Sequence, residues 1–336
     1  MNTKAFLKQS LTALLLGAVL TACNQSLDLS AVSALATSVA SSNDTLLAIP
    51  EDFYGSCVRQ IGWSRGAVLT PQNTSVPVDA VVNALPKENA TLFGRASVPG
   101  AAMLAATFDV TTACAYNKAA SEQMVAVTTV LTSYFAAIGK LAATGTTSGL
   151  GIAQLGTAVS GLDPNAEFNK SGKTAAIAGA LDGIASAFIA AKAKDDLAPD
   201  VVAADTLVGK LIDRLIDDKN ADGTPDNVAN FYLNQLNYER AAMHAFYSNN
   251  IGNTPIGLER LQTFQYYANE EAEDAKLDQL VGGVQNYVSA LTKIKAAHAS
   301  LAKAVAMHDF ASAESLAQAY AAEFKPDVVA LSKAFK

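Results

Sequence analysis

Basic residues are scarce in this chain. Lys and Arg number 24 against 31 Asp and Glu over 336 residues, a formal charge of −7. Phosphate recognition needs a basic surface, so nucleic acid is excluded as a partner. Charged residues of both signs make up only 16% of the chain, while 50% is hydrophobic. That balance excludes a body kept disordered by charge, and it excludes collagen-like and coiled-coil compositions. Histidine is rarer still: His244, His298 and His308 are the only three. None stands in the E-x-x-H spacing of di-iron bundles or in H-E-x-x-H, so each is expected to be a surface or half-buried bundle residue. No serine lies in a G-x-S-x-G context, and no Ser/His/Asp or Cys/His triad is legible. A catalytic role therefore has no signature, and a non-enzymatic protein is expected.

Long apolar runs are also missing. Leu11–Leu20 is apolar over ten residues, too short for the roughly 20 that a membrane span needs. With Lys4 and Lys8 ahead of it, it reads as the core of an export signal covering residues 1–22. The run leads into Leu20-Thr21-Ala22-Cys23. Those four residues resemble the bacterial lipobox. The resemblance implies cleavage before Cys23, diacylglycerol on its thiol, palmitate-type acylation and a membrane partner reached through the lipid. Asn24 follows, rather than the aspartate that favours inner-membrane retention in enterobacteria, so the outer membrane is the expected destination. Acyl chains contribute about 0.8 kcal/mol per buried methylene, so the body needs no span of its own. Without residues 1–22 the charge becomes −9, because Lys4 and Lys8 leave and no acid does.

Of the three cysteines, the lipobox resemblance assigns Cys23 to the lipid. Export implies an oxidising compartment, so Cys57 and Cys114 are expected to pair. Neither has a histidine nearby in sequence for a metal site.

Residues 23–45 are small and hydroxylated and read as the lipidated cysteine with a flexible tether, in which a short amphipathic helix over Leu29–Ala40 can form. Residues 46–114 hold five of the ten prolines and the single Trp63, and read as irregular or short-stranded. From 115 to 336 helical periodicity takes over. Lys118–Ala143 places Val125, Thr128, Leu131, Phe135, Ile138 and Leu141 three or four apart, and Asp200–Asp217 places Val201, Val208, Leu211, Ile212 and Leu215 on one side. Further helices are expected over Leu150–Leu162, Lys173–Lys194, Asn227–Ser248, Ile256–Ala306 with a break near Gly282-Gly283, and Ala311–Phe324. The fold class is thus mostly α: a multi-helix bundle of six to eight helices behind an irregular, disulfide-linked N-terminal segment. Thr174–Ala191 has one charge, Asp182, in 18 residues; its small residues suit a helix buried in such a bundle.

One segment carries metal-ligand chemistry. Asp218-Lys219-Asn220-Ala221-Asp222-Gly223-Thr224-Pro225-Asp226 resembles the first nine positions of an EF-hand calcium loop. The resemblance implies side-chain oxygens from Asp218, Asn220, Asp222 and Asp226, the backbone carbonyl of Thr224, and a sharp turn at Gly223. It departs from the pattern at position 12, where the bidentate glutamate is Ala229, and at position 8, where Pro225 replaces an apolar residue. The other reading is a polar turn between helices, with Asp226 capping the second. Ser171-Gly172-Lys173-Thr174 lacks the first glycine of a phosphate loop, Glu167 standing there, and carries no nucleotide site. Glu270, Glu271, Glu273 and Asp274 cluster on one helix and read as a solvated face.

These features lead to a lipid-anchored envelope module that binds an envelope protein or a hydrophobic ligand, with calcium as its one candidate cofactor. The alternatives are a periplasmic enzyme whose site gathers around Glu239, His244 and Glu270, and a calcium-dependent surface adhesin.

Overall fold

The computed structural model describes residues 30–68, 110–144, 197–219, 222–252, 259–307 and 309–336. The signal segment, Cys23, Asn220, His308 and the expected helices at 150–162 and 173–194 lie outside these residues. The described chain forms α1 (Ser30–Ala40), α2 (Asn43–Val68), the single turn α3 (Val110–Ala113), α4 (Ala115–Thr144), α5 (Leu197–Ile216), α6 (Val228–Gly252), α7 (Glu259–Ala306) and α8 (Phe310–Ala334). No strand occurs among the described residues; the isolated Lys219–Pro225 bridge is the one extended pairing there. The expected helical bundle is present. Among the described residues no helix is long and apolar enough to cross a membrane.

α4 is the spine of the N-terminal half. The Cβ of Ala36 lies where a side chain on Gly139 would stand, Thr132 donates to Asn43 at 2.6 Å, and Ser121 donates to the Pro50 carbonyl at 2.7 Å. α1 and then α2 therefore run antiparallel along α4, and the Cys57–Cys114 disulfide closes the far end of that pairing. α6 lies parallel to α2, α7 returns antiparallel to α6, and α8 folds back along α7. Successive contacts fix these directions: Asp52–Tyr232 and Arg59–Glu239, then His244–Glu270 and Tyr247–Tyr266, then Lys293–Asp327 and Ser300–Tyr320.

Three expectations are corrected. Residues 30–40 do form the short helix allowed for there, but it is docked in the core, with Val32, Leu35, Ala36 and Val39 buried, so the flexible-tether reading does not extend over them. Residues 46–68 are helical rather than irregular. Their buried positions Leu46, Ile49, Phe53, Ser56 and Cys57 keep helical spacing, and that packing carries the helix through Pro50. α7 does not break at Gly282-Gly283 but runs unbroken for 48 residues. Two glycines cost about 2 kcal/mol of helix propensity, offset here by burial of Leu277, Val284, Tyr287 and Leu291 on either side. Gly283 has a further reason to lack a side chain. A Cβ there would stand 2.9 Å from that of Ala334 and 3.1 Å from the Phe335 ring, so glycine lets the end of α8 approach.

Candidate functional site

Polar side chains gather at four places. The first bridges α2 and α6 beside the disulfide. Glu239 is 4% exposed at its side chain. It accepts from Arg59 Nε at 2.6 Å and from Ser56 Oγ at 2.6 Å. Arg59 also grips Asp52 in a bidentate pair at 2.7 and 2.8 Å. The Tyr232 hydroxyl donates to the same Asp52. Burial works against the Arg59 charge, but hydrogen bonds to Asp52 and Glu239 outweigh it and hold the guanidinium above its ordinary pKa. Burial first, and the Asp52 charge second, push the Tyr232 hydroxyl up. The sequence marks none of these partnerships except that Asp52 and Arg59 share one helix face two turns apart.

The second place is the interior. His298 is fully buried, which corrects its expected surface or half-buried placement. Its Nε2 lies 2.7 Å from the Tyr134 hydroxyl and its Nδ1 lies 2.9 Å from Asp205 Oδ1. The Phe135 ring meets the imidazole edge-on at 5.8 Å between centroids. Of this Tyr–His–Asp chain, Tyr134 and His298 are buried and the Asp205 side chain is 38% exposed. The chain is a satisfied polar link joining α4, α7 and α5.

The third place is the 218–226 loop. Gly223 has φ +83°, the left-handed conformation expected of the sharp turn. The carboxylates of Asp218 and Asp226, however, face a cation of the protein itself. Arg214 is 1% exposed, with Nη1 2.9 Å from Asp226 Oδ2 and 3.2 Å from Asp218 Oδ2. Its guanidinium also donates to the Asp226 carbonyl. Asp222 accepts from the Thr224 hydroxyl at 2.6 Å and from the Thr224 amide at 3.0 Å, contacts that hold its carboxyl below the usual range. Asn227, not Asp226, caps α6, its Oδ1 accepting from the Asn230 amide. Ala229, at the position where an EF-hand needs glutamate, is buried in α6. Two of the expected calcium ligands are thus already charge-matched by a guanidinium, and the loop closes through protein contacts. Among the described residues no group of three or more His, Cys, Asp or Glu side chains is placed to hold a metal ion.

The fourth place is the surface between α6 and α7. His244 Nδ1 lies 2.7 Å from Glu270, and Arg240 Nε lies 2.9 Å from Asp274 with Nη2 against Asp278. His244 and Glu270 therefore meet, but Glu239 points away to α2. The three residues expected to share a dispersed active site are divided between two separate clusters. Beyond them toward the C-terminus of α6, Trp63, Phe246, Tyr247 and Tyr266 stack with centroids 5.1–6.4 Å apart. Exposed Phe264 and Tyr267 stand beside Tyr266 in sequence.

A groove of about 360 Å³ lies between α1 and α4, lined by small side chains such as Ser33, Thr37, Ala136 and Ala143. That is near the lower limit for a small-molecule site. Comparison with known protein families, with curated proteins and with solved structures finds no match to this chain.

Proposed function

We propose that the protein is a lipid-anchored helical module of the cell envelope that binds or scaffolds rather than catalyses. The observation that carries this reading is Leu20-Thr21-Ala22-Cys23, standing seven residues ahead of the first core helix. A cysteine acylated at position 23 would tie the bundle closely to a bilayer. The Cys57–Cys114 disulfide agrees with an oxidising compartment. The buried polar groups agree with a structural role, because Glu239, Arg214 and His298 are each spent on partners within the bundle. Among the described residues the surface open to recognition is the exposed helix faces and the α1–α4 groove, which fit an envelope protein or an apolar ligand. With Asn24 after the cysteine, the outer membrane is the proposed destination. Calcium stays outside this reading, since Arg214 already serves Asp218 and Asp226.

The test is mass spectrometry of the mature N-terminal peptide from the membrane fraction. A chain starting at Cys23 with a diacylglyceryl thioether is expected, and Cys23→Ala should move the protein out of that fraction. An unmodified Cys23, or a membrane fraction indifferent to the substitution, would remove the reading.

A further inference from the structure

The bundle has two distinguishable ends, set by the antiparallel run of α1 and α2 along α4 and by the course of α7. One end carries the start of α1, the close of α4 and the close of α7. The other carries the disulfide, the close of α6, the start of α7 and the aromatic stack around Trp63. Along α7, Tyr266 in that stack lies roughly 60 Å from Met307 at 1.5 Å per residue. Met307 itself is 59% exposed.

Cys23 precedes Ser30 by seven residues, which reach at most about 25 Å when fully extended. Because Val32, Leu35 and Ala36 are packed in the core, α1 cannot peel away to lengthen that reach without exposing them. Charge separates the ends further. Residues 270–278 of α7 hold five acids and one base, Lys276. Arg240 and His244 lie against part of this acidic run. Near the other end the exposed charges are mixed, Lys140 and Lys303 standing with Asp309. An anionic bilayer repels the acidic half of α7 and so opposes a bundle lying flat.

We propose that the bundle stands end-on upon a lipid surface. The α1-start, α4-close and Met307 end faces the bilayer, and the disulfide and the Trp63 aromatic stack are held away from it. This inference rests on lipidation of Cys23. It places the exposed Phe264 and Tyr267 beyond the reach of the anchoring membrane.

Energy transfer from tryptophan to dansylated lipid headgroups tests it, because Trp63 is the only native donor. The full lipidated chain is reconstituted in vesicles of phosphatidylethanolamine and phosphatidylglycerol. Trp63 of the unaltered protein should lose no emission to the acceptor, whereas Trp63→Phe/Met307→Trp should lose most of it. Met307→Trp alone, read by difference from the unaltered protein, covers the case in which Trp63→Phe disturbs the stack. Equal loss from both positions means a bundle lying along the bilayer and overturns the proposal. Loss from neither position, in vesicles that retain the protein, overturns it while leaving the anchor standing. Failure to float with vesicles, together with an unacylated Cys23, removes the anchor and the orientation with it.

Discussion

Arg59 on α2 and Glu239 on α6 meet at 2.6 Å although 180 residues separate them in sequence. The contact is unequal, because the Arg59 side chain is 40% exposed and that of Glu239 only 4%. Removing the cation strands a buried carboxylate with Ser56 as its remaining donor. Arg59→Met should therefore cost about 2–3 kcal/mol, at or just below the foot of the roughly 3–5 kcal/mol of a broken buried pair, because solvent screens the guanidinium. Arg59→Met/Glu239→Met should recover most of that loss. Urea denaturation of the three proteins reads both values, and equal costs for the single and double variants would refute the pairing.

The disulfide ties two ends of a loop with a sequence separation of 57. On the chain-entropy model, opening it costs about 4 kcal/mol, mostly by freeing the unfolded chain. Cys57→Ser/Cys114→Ser should lower the urea midpoint by that equivalent. Reductant should lower the native protein to the same value and leave the variant unmoved.

The two adjacent glycines of α7 should respond in opposite directions. Nothing lies within 4 Å of a Cβ placed on Gly282, whereas one on Gly283 meets the Ala334 Cβ at 2.9 Å. Gly282→Ala should raise stability by up to about 1 kcal/mol through helix propensity. Gly283→Ala gains the same propensity but must push α8 aside, and its net effect should be destabilising. Thermal unfolding of the pair checks the sign of each.

Asp222 gives the loop a pH signature. Hydrogen bonds from Thr224 favour its charged form, so its folded pKa is lowered. A depressed carboxylate contributes stability that is complete above the unfolded value, about 3.9. That contribution is lost as pH falls through the lower, folded value. The Asp222 carboxyl titration followed by NMR should therefore fall below the ordinary range, and Thr224→Val should return it toward that range. A midpoint unmoved by the substitution would discount the contact.

Arg214 makes a prediction about calcium. Because its guanidinium faces Asp218 and Asp226, thermal unfolding of residues 24–336 should show one midpoint in calcium and in chelator alike. Arg214→Met should lower that midpoint by leaving two carboxylates without their cation. A calcium-dependent rise in the unaltered protein would show that the carboxylates exchange Arg214 for the metal.

Helices with a continuous apolar stripe are legible in the amino-acid pattern alone. Val201, Val208, Leu211, Ile212 and Leu215 are all buried where periodicity puts them, and so are Thr128, Leu131, Phe135 and Ile138, whereas Val125 of the same expected stripe is half-buried. α2 is harder to see, because Pro50 and the prolines after residue 70 mask the helical spacing of Leu46, Ile49 and Phe53. The cation of the 218–226 loop does leave a local signal, since Arg214 in the last turn of α5 and Asp218 just beyond it stand four residues apart. Glu239 with Arg59, and His298 with Tyr134, leave none. Their partners lie 180 and 164 residues away, and no local pattern encodes a contact at that range.

The pairing of α2 with α6 also sets an order in time. As the chain is made, α1 and α2 emerge early, but the helices that cover them, α6 for one and α8 for the other, are among the last. Among the described helices, Leu35, Leu46, Ile49 and Phe53 have chiefly α4 to pack against until residues 228–334 exist. By contrast α7 and α8 are joined by three residues and collapse locally. Contacts distant in sequence form late, after the loop-closure entropy has been met. The C-terminal hairpin is therefore the natural nucleus, and the N-terminal helices wait as exposed apolar segments that invite aggregation or a chaperone.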